Sequence, residues 1–323
     1  MKSQKKSQSQ SLQTIVATST KTKQLSPADE ASAIQKALGL LTFELQPRKW
    51  LDTGSRRLNA VLGSEEKGIG YGKMIELFGP ESNGKTLLAL LLAGLAQEDG
   101  APVAWVDFEN SFDADWAKTQ GVDPDKMYHF FPKIIQKSKK EKPRLQTAEE
   151  LCDEVEMWMV RRHDAGEEKM FVFVDSVTAM LVEEELEAGN QDANMRTKVA
   201  LASFLSRLLR RWVALSQVYS AGMLFINQLR EAPGGWGNPE RTPGGKALKF
   251  YCSIRARVQR VKNGKLLHNG KMVGLRAIIR NLKNKAGEGS VEGCDVGFKA
   301  LFRSNDWRFV DAAKLKKDAE EGE

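Results

Sequence analysis

Three cysteines in 323 residues, Cys152, Cys252 and Cys294, are too few and too scattered for a disulfide framework, and none forms the C-x-x-C pair of a zinc or redox site. Long apolar runs are missing too. The longest, Leu87 to Ala96, reaches about half of the ~20 residues that a bilayer crossing takes, and the N-terminus carries lysines with no apolar stretch behind them. The expectation is a cytoplasmic protein of a reducing compartment, with neither a membrane span nor a secretory signal. Acidic residues are absent from residues 1 to 25, where Lys2, Lys5, Lys6, Lys21 and Lys23 stand among Ser, Gln and Thr. Such a segment has nothing with which to build a core, and reads as a disordered tail, either solvated or in non-specific contact with phosphate. The overall charge excess is modest, 49 basic against 42 acidic residues, which admits nucleic acid without demanding it.

What the chain does contain is one stretch around which the rest is arranged. Ile75, Leu77 and Phe78 read as a buried strand, Gly79-Pro80-Glu81-Ser82-Asn83-Gly84-Lys85-Thr86 fills G-x-x-x-x-G-K-[ST], and Leu87 to Leu95 reads as a helix. In that pattern backbone N–H groups cradle phosphates, the lysine neutralises them and the hydroxyl binds Mg²⁺, with the helix N-terminus facing the anion.

Upstream, Ser26-Pro27-Ala28-Asp29 has a cap, a proline at the first helical position and an acid at the positive end of the dipole. Ala31, Ile34, Leu38 and Leu41 then share one apolar face, for docking either on the chain's own domain or on a neighbouring subunit. Downstream, Val103 to Val106 reads as a strand closed by Asp107-Phe108-Glu109, two carboxylates where chemistry sits in open α/β sheets. A third strand is expected at Tyr128 to Phe131. The following Lys133, Lys137, Lys139, Lys140, Lys142 and Arg144, with Glu141 alone against them, read as a basic loop, solvated or in contact with nucleic acid or a partner.

Thr147 is expected to cap a helix bearing Leu151, Val155, Trp158 and Met159 on one face. Met170 to Val174, apolar and closed by Asp175-Ser176, has the Walker B pattern; an aspartate that only caps the next turn is the plainer alternative. After a polar stretch, Glu183 to Asn194, comes a long helix with Val199, Ala202, Leu205, Leu209 and Trp212 at helical spacing, the tryptophan in the core. Met223 to Ile226 is a strand ending in Asn227-Gln228-Leu229-Arg230, followed by a Gly- and Pro-rich, mobile stretch from Glu231 to Gly245. Ile254 to Val261, Val273 to Leu282 and Val296 to Phe302 are closing strands, with Asn263-Gly264 and Asn269-Gly270 as turn signals. Together these elements imply an α/β fold that binds a nucleotide at the carboxyl edge of its sheet.

In this order and at these intervals, several segments resemble the RecA recombinase family: Gly79 to Thr86, Val106-Asp107-Phe108-Glu109, Val174-Asp175-Ser176-Val177, Phe225 to Arg230, Gly237-Asn238-Pro239-Glu240, Gly244 to Tyr251 and Lys283-Asn284-Lys285. The resemblance covers residues 30 to 310. It implies a RecA-like P-loop ATPase core at 51–310, its mostly parallel central sheet flanked by helices. A basic tail (1–25) and an N-terminal oligomerisation helix with linker (26–50) precede it, and an acidic tail (311–323) follows. It further implies ATP and Mg²⁺ as cofactors, single-stranded DNA and homologous duplex DNA as partners, no membrane, and a homo-oligomeric helical filament that catalyses ATP-dependent homologous pairing and strand exchange.

By the same resemblance Glu109 activates the attacking water, Gln228 senses the γ-phosphate, and Lys283 and Lys285 reach a neighbour's ATP. Gly79, Pro80, Glu81, Ser82, Asn83, Gly84, Lys85 and Thr86 hold the phosphates, Thr86 and Asp175 the metal, while Asp113 contacts the base and Trp116 stacks on it. The first DNA loop falls at Asp192-Ala193-Asn194-Met195 and the second at Arg230 to Gly245; Arg207, Arg230, Gly244 and Gly245 match phosphate contacts. The chain also departs from the family. Its second loop is one residue shorter and has Ala232-Pro233 in place of an apolar wedge, for which Trp236 offers a substitute stacking surface. The segment 133–144 is an insertion, and the chain ends near where the family's C-terminal domain would begin, so the basic tail or the insertion is expected to replace that domain's capture of duplex DNA. A phage-encoded or divergent bacterial source is the matching expectation. A RecA-fold ring motor, or a recombinase-assisting paralogue that binds DNA and ATP without strand exchange, stays open as the alternative.

Overall fold

The structure is a computed structural model and describes residues 49–136, 142–188, 196–231, 240–268, 271–285, 294–298 and 309–311. The expected N-terminal helix, both tails, Lys137 to Glu141, Met195 and Trp236 lie outside the described residues.

Among the described residues nine strands form the central sheet: β1 (Met74–Gly79), β2 (Val103–Asp107), β3 (Met127–Phe130), β4 (Met170–Asp175), β5 (Ala221–Gln228), β6 (Ile254–His268), β7 (Lys271–Asn284), β8 (Cys294–Phe298) and β9 (Phe309–Asp311). Side by side they run β9-β8-β7-β6-β1-β5-β4-β2-β3. From β6 to β3 every pairing is parallel; from β9 to β6 every pairing is antiparallel. The sheet is therefore mostly parallel, as expected, with an antiparallel extension. After β1 the chain crosses to β2, beyond β5 and β4, while β6 lies on the other side of β1. Strand order thus reverses at β1, where a ligand crevice opens at the carboxyl ends.

Parallel strands covered by helices on both faces need apolar side chains in unbroken runs. In β4 the alternation is explicit: Phe171 and Phe173 pack with the helix Lys85–Glu98, whereas Met170, Val172 and Val174 pack with the helices Ala148–Asp164 and Arg196–Val218. Phe171 stacks on Phe173 with ring centroids 4.6 Å apart, and Trp105 on Phe173 at 5.7 Å. The helix 148–164 starts as its sequence indicates. Thr147 and Glu150 form a reciprocal capping box, and Leu151, Val155, Trp158 and Met159 are all buried. Trp212 is in the core, its indole N–H donating to Glu156 at 2.8 Å.

Three expectations are corrected, and one segment left unassigned gains a helix. Val199 is 65% exposed, whereas Leu205, Leu209 and Trp212 of the same expected stripe are fully buried together with Phe204 and Leu208; the buried face of the helix Arg196–Val218 begins at Ala200 and Leu201. The polar stretch after Val182 begins with a helix, Glu183–Ala188. The described ends of the segment 133–144 are paired: Ile134–Ile135 runs antiparallel to Arg144–Leu145, and Arg144 makes two hydrogen bonds to Glu150, at 2.7 and 2.8 Å, so its charge is neutralised at the cap of the following helix. Asn263-Gly264 is not a turn. It sits inside β6, where the register against β7 slips between Arg260 and Lys265. No described helix is long and apolar enough to cross a membrane.

Candidate nucleotide-binding site

β1 ends at Gly79 and the helix Lys85–Glu98 begins after Gly84, whose φ of 91° is the left-handed turn that the loop needs and that glycine adopts without penalty. Asn83 stiffens the loop from both sides. Its Nδ2 donates to Glu81 O at 2.8 Å, and its Oδ1 accepts Arg260 N–H of β6 at 2.6 Å. The buried Lys85 ammonium donates to Gly79 O at 3.1 Å and Pro80 O at 2.7 Å. Burial pulls the Lys85 pKa down, opposed by the charges of Asp175, Glu109 and Glu81, so anions already surround this cation.

Three strand ends converge beside it. Thr86 Oγ1 donates to Asp175 Oδ2 at 2.9 Å, from the first turn of the helix to the end of β4. Phe108 and Glu109, just past β2, donate their N–H groups to Asp175 O at 2.8 and 3.4 Å. Glu109 Oε1 accepts from Ser176 Oγ at 2.5 Å and from Gln228 Nε2, at the end of β5, at 3.2 Å. Burial first, then the nearby Glu109 charge, push the Asp175 carboxyl up to about 7. A buried carboxylate that is unfavourable as a bare anion, bonded to the hydroxyl that closes a phosphate loop, is the donor set that a hard divalent cation suits. Lys85, Thr86, Glu109, Asp175 and Gln228 are thus gathered in one place.

Residues 42–290 match the family model of the RecA N-terminal domain. The chain belongs to the RecA family. Among curated relatives, protein RecA of Rhodopirellula baltica is 38% identical over 73% of this chain and 56% of its own length. Protein RecA of Sulfurovum sp. is 34% identical over 75% of this chain and 63% of its own length, and that of Thermus aquaticus 36% over 73% and 62%. The match therefore spans less than two thirds of each of these relatives.

The remaining site residues of this RecA-family chain are placed less centrally. Asp113 caps the helix Ala114–Thr119, its Oδ1 accepting the N–H groups of Asp115 and Trp116 at 2.9 Å, and Trp116 packs half-buried against the core. Lys283 donates to the carbonyls of Lys249 and Phe250, each at 2.9 Å, where the helix Ala247–Tyr251 ends. Among the described hydrogen bonds none joins Lys283 or Lys285 to Lys85, Thr86 or Asp175. Arg207 lines a cavity of about 160 Å³ with Glu149, Glu183, Glu184 and Glu187, an acidic setting for a residue expected at DNA phosphates. Arg230 and Arg241 pair in a short antiparallel ladder at the base of the second loop. Gly244 returns that loop to the fold with a φ of 84°, and a Cβ there would lie 2.4 Å from Leu205 Cδ1.

Sequence reasoning missed a buried network beneath the loop. Glu76, the one acid in β1, is fully buried; Arg255 Nε donates to it at 2.5 Å and Asn227 Nδ2 at 3.0 Å. Asn227 Nδ2 also donates to Pro243 O at 3.3 Å, and the Arg255 guanidinium lies 4.7 Å from the Phe78 ring centroid. The available signal was the acid in an otherwise apolar strand, Met-Ile-Glu-Leu-Phe.

Proposed function

We propose that this chain is a DNA-dependent ATPase that assembles as a helical filament on single-stranded DNA and pairs that strand with a homologous duplex in strand exchange, acting in the cytoplasm. The observation that carries the reading is the Gln228–Glu109 hydrogen bond, which joins the residue assigned to water activation with the strand end that leads into the second DNA loop.

In this reading the amides from Gly79 to Lys85 cradle the phosphates, with Pro80, Glu81, Ser82 and Asn83 shaping the loop, and the Lys85 ammonium exchanges its two carbonyl partners for phosphate oxygens. Thr86 and Asp175 would hold Mg²⁺, which when bound neutralises charge on the β- and γ-phosphate oxygens. Glu109 accepts a proton from the attacking water, and Ser176 and Gln228 orient its carboxylate. Asp113 and Trp116 face the base. When Gln228 turns from Glu109 to the γ-phosphate, it pulls on the chain that leads into the second loop, and so couples nucleotide state to DNA binding.

Lys283 and Lys285 of one protomer complete the site of the next, which is consistent with their lack of a bond to their own phosphate loop. Met195, Arg207, Arg230, Trp236, Gly244 and Gly245 contact DNA. Electron microscopy with single-stranded DNA and a non-hydrolysable ATP analogue tests the assembly: a helical filament is expected, and a closed ring would favour the motor reading instead.

A further inference from the structure

Glu109 belongs to a link, Phe108 to Asp113, between β2 and the helix Ala114–Thr119, and two separate sets of bonds hold it. Its start is tied to β4, through the Phe108 and Glu109 N–H groups on Asp175 O. Its far half is tied to Asp107. Phe112 N–H donates to Asp107 Oδ2 at 2.8 Å, with the Ser111 N–H directed at the same carboxylate. The Asp107 side chain is 1% exposed and its Oδ1 has no hydrogen-bond partner, so the carboxylate depends on few neighbours.

His129 is one of them. It stands on the edge strand β3, opposite Trp105 in the register with β2, and its Nε2 lies 3.6 Å from Asp107 Oδ2. Its ring sits between Phe112, at a centroid distance of 4.9 Å, and Phe131, at 5.0 Å. One side chain therefore touches both the carboxylate that anchors the link and the aromatic residue that the anchor holds. Burial alone would drive Asp107 up, but the nearby His129 imidazole and the Phe112 and Ser111 N–H groups outweigh it and hold the carboxyl below its usual value.

We propose that His129 is a positioning residue for the nucleotide base: by holding Asp107 and packing its ring against Phe112 it sets the segment Ser111 to Trp116 without touching the nucleotide. This rests on the reading that Asp113 and Trp116 face the base. Because Glu109 is held separately by Asp175 and Ser176, loss of the His129 contact loosens the base wall and leaves the water-activating carboxylate in place. The consequence is a change in nucleotide affinity rather than in the chemical step.

Three variants separate the donor from the ring. His129→Phe keeps the ring packing and removes the donor, His129→Gln keeps a donor amide, and His129→Ala removes both. Affinity for N-methylanthraniloyl-ATP and the KM for ATP are expected to weaken about fivefold in Phe and at least that much in Ala, the scale of one polar contact to a buried carboxylate, with Gln near wild type and kcat within about twofold throughout. Wild-type binding by the Phe variant, a Gln variant as weak as Ala, or a fall in kcat at constant KM would each overturn the proposal. If the Ala variant does not fold, the Phe and Gln pair decides. A wild-type chain without ATP turnover would sink the functional reading above, while the ranking of analogue affinities would still decide the role of His129.

Discussion

Gln228 Nε2 donates to Glu109 Oε1 at 3.2 Å, between residues 119 positions apart in the chain. The bond exists because β4, whose end carries Ser176, lies between β5 and β2 in the sheet, so that the ends of the three strands share one Glu109 oxygen. Gln228 is also the register partner of Gly79, which puts the same side chain at the mouth of the phosphate loop. A residue with access to both groups can report the state of one to the other.

Replacement of Glu109 by Gln removes the proton acceptor and keeps the shape. Phosphate release from ATP is expected to fall at least ~100-fold, with nucleotide affinity held within a few-fold. Normal turnover would show that another group activates the water.

Gln228→Ala removes the link itself. The ratio of ATP turnover with and without single-stranded DNA should drop toward one, since the second loop no longer reads the state of the phosphate site. Undiminished stimulation by DNA would rule out this coupling.

Asp175 supplies a pH test on the nucleotide-free protein. Its folded-state value, about 7, lies above its usual 3.8, so the native state keeps a proton that the unfolded chain has already lost. Its contribution to stability is complete below about pH 4 and is lost as pH rises through 7, by at most ~4 kcal/mol at about 1.4 kcal/mol per pK unit. Melting temperatures across about pH 5 to 8 should fall more steeply for the wild type than for Asp175→Asn. Parallel curves would mean that the carboxyl is already ionised throughout.

Gly244→Ala introduces a Cβ at a φ of 84°, 2.4 Å from Leu205 Cδ1. The expected cost is about 1–3 kcal/mol by chemical denaturation, with the return of the second loop displaced. Affinity for single-stranded DNA should fall about tenfold or more while the N-methylanthraniloyl-ATP affinity is kept, since the loop root and the phosphate loop are held by different bonds. Unchanged DNA affinity would remove Gly244 from the DNA-binding surface.

Much of this was legible in sequence because the relevant physics is local. The phosphate loop is a contiguous pattern between a strand and a helix, the Thr147–Glu150 capping box spans three positions, and the alternation in Met170 to Asp175 is set by the pleat. Spacing was less reliable at the start of a helix, where Val199 is exposed although Leu205, Leu209 and Trp212 of its stripe are buried, and where a turn-like pair, Asn263-Gly264, is absorbed as an irregularity in a long antiparallel ladder. Arg144 read as one charge in a basic run. Only the geometry of the Thr147–Glu150 cap, with Arg144 bonded twice to Glu150, shows that its charge is spent within the fold.

By itself, then, the sequence determined that a nucleotide site of the strand–loop–helix type is present, and which side chains could serve it, because each of those signals depends on neighbours a few residues away. The tertiary structure decided which of them meet. Strand order placed Glu109, Asp175 and Gln228 side by side, left Lys283 bonded to the end of a different helix, and set His129 against Asp107, since contacts between strand ends depend on how the sheet is wound and not on distance along the chain.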